Sequence, residues 1–219
     1  MARVLITGAE SGLGLSLVRA FNNNGNSVSV LCRDTSAELE TLAPDMYPNT
    51  DVTDAASVHR AAAAMGDETI DLLINNAGIM FEDDIDRIDI DAVRLQFEVN
   101  TLGPLNVVLA LRNRLRAGSR IINISSRLGS IGDNGSGNDY GYRISKAAQN
   151  MLTSNLALEL GNEGVYVAAI HPGIVATGMT DGKGTAPDEV ARDLKKVIEK
   201  IDHSVSGKFL DRFGTEIPW

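Results

Sequence analysis

Val4-Leu5-Ile6-Thr7-Gly8-Ala9-Glu10-Ser11-Gly12-Leu13-Gly14 is the stretch on which the reading of this chain turns. Ala2 to Thr7 is strand-like, with the apolar run Val4-Leu5-Ile6 at its centre. A glycine cluster interrupts it, and from Leu13 to Phe21 apolar residues recur at helical spacing. A strand that passes through glycines into a helix lets a phosphate approach the backbone. Side chains are absent there, and the helix N-terminus offers N–H donors and a partial positive charge. The spacing is Gly8-x3-Gly12-x-Gly14 and not G-x-G-x-x-G, because Leu17 stands where the third glycine would be. Such a loop has two readings, a plain tight turn or a dinucleotide cradle. Its place directly after the first strand favours the cradle.

The same alternation continues outward. Ser27–Leu31 reads as a second strand, Ala55–Met65 as a helix capped by Thr53 or Asp54, and Asp71–Asn75 as a buried strand. Ala92–Leu115 reads as a long helix interrupted by Gly103-Pro104. Arg120–Ser125 and Val165–Ile170 read as strands, Tyr142–Leu160 and Pro187–Ile201 as helices, and Lys208–Leu210 as a short last strand. No repeat, low-complexity tract or Pro/Ser linker divides the chain. Residues 1–219 are therefore expected to form one α/β domain, a doubly wound parallel sheet of about seven strands with helices on both faces, in three layers.

Composition narrows the function. With 219 residues the chain can bury a sizeable core. Its 20 Lys and Arg against 29 Asp and Glu, a net charge of −9, argue against nucleic acid or an anionic membrane surface as partner. No apolar run approaches the roughly 18 residues that span a bilayer. A strand from Ala2 leaves no room for a signal peptide, and the lone Cys32 has no internal disulfide partner, so a cytoplasmic location is expected. His59, His171 and His203 lie far apart, and no metal site is expected. At the end of the second strand, Leu31-Cys32-Arg33-Asp34, an acidic residue would bond a ribose hydroxyl and an arginine would pair with a 2′-phosphate. Cys32 holds the strand-end position and Arg33 follows it, which favours NADP(H) over NAD(H). Glu10 and Asp34 argue the other way.

Tyr142 and Lys146 stand at i and i+4 in a helical stretch and so share a face. A phenol with an ordinary pKa near about 10 exchanges protons poorly at neutral pH, and a neighbouring ammonium favours the phenolate. Taken with the motifs that follow, the chain resembles the short-chain dehydrogenase/reductase family. Thr7 to Gly14 matches its T-G-x-x-x-G-x-G, Asn75-Asn76-Ala77-Gly78 its N-N-A-G, and Asp51-Val52 its adenine-contacting dipeptide. Asn100 falls on its catalytic asparagine, Ser126 on its active serine, and Tyr142 to Lys146 on Y-x-x-x-K. Pro172-Gly173-Ile174-Val175-Ala176-Thr177 matches P-G-x-V-x-T. Within the family the chain looks most like compact carbonyl reductases of the C-factor and sniffer kind.

The resemblance implies a Rossmann-type fold and hydride transfer between nicotinamide and a carbonyl or secondary alcohol. Tyr142 would be the acid/base, Ser126 would bind the substrate oxygen, and Lys146 would lower the tyrosine pKa. Asn100 would hold a relay water. The cofactor would lie on Gly8, Ser11, Gly12, Leu13, Gly14, Arg33, Asp51, Val52, Asn76, Ala77 and Gly78, then Tyr142, Lys146, Pro172, Gly173, Ile174 and Thr177. Loops 126–141 and 172–188 would form the substrate pocket. A small insertion sits at Asp133–Asn138, and the short segment after Thr177 implies an open pocket or a flexible lid. A homodimer or homotetramer acting on a small molecule is expected. Other readings are an NAD(H)-linked alcohol dehydrogenase and a nucleotide-binding regulatory protein. Dehydratase or epimerase chemistry on a nucleotide sugar would call for a longer chain with a separate substrate domain.

Overall fold

A computed structural model describes residues 2–22, 25–43 and 45–219. The strands are β1 (Arg3–Thr7), β2 (Ser27–Leu31), β3 (Asp45–Tyr47), β4 (Leu72–Asn75), β5 (Arg120–Ile124), β6 (Tyr166–His171) and β7 (Phe209–Asp211). The helices are α1 (Gly12–Asn22), α2 (Ala37–Leu42), α3 (Ala55–Ala64), α4 (Ile90–Phe97), α5 (Gly103–Leu111), α6 (Tyr140–Gly161) and α7 (Pro187–Ile198). All strands run parallel in one sheet of order β3-β2-β1-β4-β5-β6-β7, as the alternation of strand and helix predicts.

Successive strand residues point to opposite faces, so each run of apolar residues feeds two cores. Val4, Ile6, Val30 and Ile122 pack on one face with Leu17 and Phe21 of α1 and Leu194 of α7. Leu5, Leu73, Ile121 and Val167 pack on the other with Val58 of α3, Leu111 of α5 and Leu156 of α6. Ser16 Oγ donates to Asp188 Oδ1 at 2.6 Å and Lys195 Nζ to the Ala20 carbonyl at 2.8 Å, joining α7 to α1.

Parallel strands bring their carboxyl ends to one edge. The chain winds outward in both directions from the β1–β4 pair, which opens a crevice at that edge, the usual ligand site of such sheets. Thr7, Asn75, Ile124 and His171, which end β1, β4, β5 and β6, all lie along it.

Three local details differ from the sequence expectation. The helix read as Ala92–Leu115 begins at Ile90, and its break is a π turn at Glu98–Leu102 ahead of Gly103-Pro104. A β-carbon on Gly103 would stand 2.7 Å from Val52 Cγ2, so α5 starts where the Val52 side chain packs directly on its backbone. The short α2, capped by Ser36 Oγ accepting from the Leu39 N–H at 3.2 Å, has too little periodicity to read from sequence. The Tyr142 helix starts two residues early, at Tyr140. Asp54, one of the two expected caps of α3, accepts from the Ala56 N–H at 2.9 Å. Among the described residues no helix is long and apolar enough to cross a membrane.

Candidate active site

The glycine loop is held open by contacts distant in sequence. Gly8 takes φ +65° and Gly12 φ +56°, left-handed conformations that favour glycine. The Gly8 N–H donates to the Leu31 carbonyl at 3.1 Å. Thr7 Oγ1 accepts from the N–H groups of both Asn76 and Ala77 at 3.0 Å. Asn76 Nδ2 returns two bonds, to the carbonyls of Thr7 at 3.1 Å and Gly8 at 2.7 Å. Both of its side-chain N–H donors are therefore taken up in shaping the loop. Thr7→Val keeps the shape and leaves two N–H groups without an acceptor. It is expected to cost about 2 kcal/mol in chemical denaturation, with Thr7→Ser close to wild type. A loss under about 0.5 kcal/mol would mean that water replaces the hydroxyl.

The arrangement fits a dinucleotide. The N–H groups of the first turn of α1, from Ser11 to Gly14, have no intrahelical acceptor, and the Leu15 N–H is the first to reach back, to the Ser11 carbonyl at 3.3 Å. A β-carbon on Gly12 would stand 3.1 Å from Thr177 Cγ2, so the glycine loop and the Pro172–Thr177 segment face each other. One on Gly78 would stand 3.2 Å from Asn100 Oδ1 and 3.8 Å from Lys146 Nζ, leaving a smooth floor between cradle and reactive groups. Asp51, after β3, accepts from the Thr53 N–H and hydroxyl at 2.8 Å, and the Val52 carbonyl accepts from Asn106 Nδ2 at 2.9 Å. Arg33 is exposed, and its N–H donates to Glu10 Oε1 at 2.7 Å. Burial, then the charges of Glu10 and Asp34, push the Cys32 thiol up to about 11, so both carboxylates bear on the end of β2.

Ser126, Tyr142 and Lys146 converge at the end of β5. Ser126 Oγ is oriented by the Leu128 N–H, from which it accepts at 3.2 Å, and its hydroxyl lies near enough to the phenol to pull its pKa down. Lys146 Nζ lies 5.7 Å from the Tyr142 ring centroid and donates to the Ile124 carbonyl at 2.8 Å and Gln149 Oε1 at 3.0 Å. Tyr142 is 8% and Lys146 4% exposed. Burial pushes the phenol up to about 12, against the pull of the Ser126 hydroxyl and with a further push from Asp139. Burial also holds the amine down to about 7. The sequence leads one to expect Lys146 to lower the phenol, whereas desolvation is the largest influence on both groups here. Asn100 lies in the π turn. Its amide accepts from the Ile79 N–H at 2.9 Å and donates to the Ile79 carbonyl and to Ser145 Oγ at 2.8 and 3.0 Å.

Several supporting residues carry no signal in the sequence. Asp83, in the loop between β4 and α4, accepts from the Tyr140 and Gly141 N–H groups at 2.5 and 3.1 Å and so caps the helix that carries Tyr142. A buried chain from Asn75 through Asn123 to Thr153 ties β4 and β5 to α6. Gln149, fully buried, is the side-chain acceptor of Lys146. Arg143 bonds Asn134, Ser136 and Asn138, which closes the inserted loop. The segment after Thr177 is pinned and not loose. Ala176 and Thr185 are joined at 2.9 Å, Ile174 and Thr185 at 2.8 Å, and Thr180 Oγ1 donates to the Val175 carbonyl at 2.6 Å. At the C-terminus, Ser130 Oγ donates to the Pro218 carbonyl at 2.6 Å and the Gly132 N–H to that of Trp219 at 2.9 Å. Among the described residues no group of three or more His, Cys, Asp or Glu could hold a metal ion.

Comparison with known proteins agrees with this geometry. The short chain dehydrogenase family matches residues 2–188. Over 226 residues, covering 100% of both chains, the sequence is 38% identical to 1-hydroxy-2-glutathionyl-2-methyl-3-butene dehydrogenase of Rhodococcus sp. (strain AD45). The fold is similar to the NADPH-bound carbonyl reductase from chicken fatty liver, at 33% identity and a TM-score of 0.90 over 100% of this chain and 99% of that one. It is also similar to the carbonyl reductase Sniffer of D. melanogaster, at 27% identity and a TM-score of 0.92 over 100% of both.

Proposed function

The chain belongs to the short chain dehydrogenase family, and from that premise we propose that it is an NADP(H)-linked reductase of a small carbonyl compound with Tyr142 as proton donor. Members of this family are oxidoreductases that act on CH–OH or C=O groups with a nicotinamide cofactor. The observation that carries the finer reading is the buried phenol of Tyr142, beside Ser126 and Lys146 and kept protonated well above neutral pH by burial. A neutral phenol is the state that donates a proton to a developing alkoxide, so the protonation of the free site favours reduction.

The nicotinamide supplies the hydride when bound. Tyr142 Oη gives the proton to the substrate oxygen, and Ser126 Oγ holds that oxygen in place. Lys146, with a pKa near neutrality, exchanges protons readily with its surroundings and so restores the phenol. Asn100 fixes Ile79 and Ser145 beside this group. The N–H groups from Ser11 to Gly14 take the pyrophosphate, with Gly8 and Asn76 shaping the loop. Asp51 and Val52 take the adenine. Ala77, Gly78, Pro172, Gly173, Ile174 and Thr177 line the nicotinamide end. Loops 126–141 and 172–188 bound the substrate pocket within one domain of residues 1–219. Exposed Leu95, Leu109, Met151 and Leu158 on α4, α5 and α6 support self-association as a dimer or tetramer, and we read the protein as cytoplasmic.

Arg33 decides the cofactor in this reading. Exposed at the end of β2, it is available to a 2′-phosphate. NADPH is expected to bind more tightly than NADH in parallel fluorescence titrations at fixed salt. Arg33→Ala is expected to weaken NADPH about tenfold and NADH less than about twofold. Tighter NADH binding by the wild type would favour the NAD(H)-linked alternative, in which Glu10 and Asp34 outweigh Arg33.

A further inference from the structure

β6 and β7 end side by side, His171 paired with Asp211, at the edge that carries Ser126. Arg212 leaves β7 there and lies along the Pro172-Gly173 segment. A β-carbon on Gly173 would stand 3.8 Å from Arg212 Cδ and 4.0 Å from Nε. The guanidinium covers the Phe213 ring at 4.7 Å, and its Nη1 is sealed from solvent with no hydrogen-bond partner among the described residues. A buried donor of this kind calls for an acceptor. The adjacent carboxylate is not that acceptor: Asp211 Oδ1 accepts the Phe213 and Thr215 N–H groups at 2.8 and 2.9 Å, and no bond joins Asp211 to Nη1.

A second guanidinium stands nearby. Arg127, the neighbour of Ser126, donates its backbone N–H to His171 Nδ1 at 3.2 Å, and its half-exposed Nε lies 3.7 Å from Asp133 Oδ2. His171 between them is uncharged at neutral pH. Burial first, then the charge of Arg127, holds its pKa down to about 4, with Arg212 adding to the effect and Asp211 opposing it. Two arginines thus bear on a neutral ring next to Ser126, in a chain of net charge −9. Ile174 and Phe213 present exposed apolar surface beside them.

The geometry points to a second recognition element of the same pocket: Arg212, with Arg127 beside it, takes the carboxylate of an anionic carbonyl or alcohol substrate. This rests on the reading of Ser126 and Tyr142 as the reacting end. A planar guanidinium meets a carboxylate through two parallel N–H bonds, which would orient the substrate; Nη1, sealed in this structure, gains that acceptor only as the guanidinium turns toward it.

The test compares each acid with its neutral ester. 4-Carboxybenzaldehyde and methyl 4-formylbenzoate are reduced side by side with NADPH, and a second pair carries the acid or ester on a three-carbon chain for longer reach. In the wild type kcat/KM for one acid is expected to exceed that of its ester by about tenfold or more. The ratio should fall close to one in Arg212→Gln and lie between in Arg212→Lys. A wild-type ratio near one for both pairs, or a ratio that survives Arg212→Gln, overturns the proposal. If Arg212→Gln does not fold, the wild-type ratio and Arg212→Lys decide. Failure to reduce either the acids or the esters would count against the reductase reading instead. Calorimetric titration of the acids then judges the carboxylate site by itself: saturable binding that weakens in Arg212→Lys supports it, and no binding, or binding unchanged in Arg212→Lys, overturns it.

Discussion

Tyr142→Phe is expected to lower kcat by about a thousandfold or more while cofactor affinity stays within about threefold. Burial keeps the phenol protonated up to about 12, so at neutral pH it holds the proton that the reading assigns to the substrate oxygen. Removing it leaves the ring, its packing and the glycine loop unchanged. Turnover and a fluorescence titration with NADPH, measured on the same preparation, separate the two effects. Retained turnover would mean that another group donates the proton. A variant that lost turnover and kept its biological effect would favour a nucleotide-binding regulatory protein.

Gly14→Ala is expected to have the largest effect on the fold at the cradle. Its β-carbon would fall well within van der Waals contact of the Gly8 carbonyl oxygen, 2.6 Å from Asn76 Nδ2 and 2.8 Å from Ala9 Cα. Two of these neighbours are backbone, and the third is the amide that shapes the loop, so no flexible side-chain end can yield. A cost of about 3 kcal/mol follows, a fall in Tm of roughly 6–12 °C for a chain of this size, with cofactor binding weakened more than tenfold. Gly161→Ala, in the last residue of α6 with nothing within 4 Å of its β-carbon, is the matched control and is expected to be neutral or slightly stabilising. Equal behaviour of the two variants would show that the loop adapts freely, and the close approach of Gly8 and Gly14 would then carry no energetic weight.

Much of this protein was legible in one dimension because the signals are local. Apolar runs such as Val4-Leu5-Ile6 and Arg120–Ile124 show strands, and 3.6-residue periodicity shows α1, α3 and α6. The strict order of strand, glycine loop and helix placed the cradle. The i, i+4 spacing put Tyr142 and Lys146 on one face. The same sequence marked Arg33 and left its rivalry with Glu10 and Asp34 unresolved, because all three lie near the end of one strand.

What only the tertiary structure decided depends on contacts between residues far apart in the chain. Thr7 meets Asn76 and Ala77 across the β1–β4 crevice, and Asp83 caps the helix of Tyr142 from a loop on another strand. Ser130 meets the C-terminus, and Arg212 comes to lie beside Gly173. No periodicity encodes such pairs, since they follow from the order in which parallel strands are laid side by side. Protonation belongs to the same class. The phenol near 12 and the amine near 7 are set by burial under α6 and the sheet, a property of the packed site. The sequence alone marked Ser126, Tyr142 and Lys146 as the candidate site, and the packing around the phenol and the amine sets their protonation.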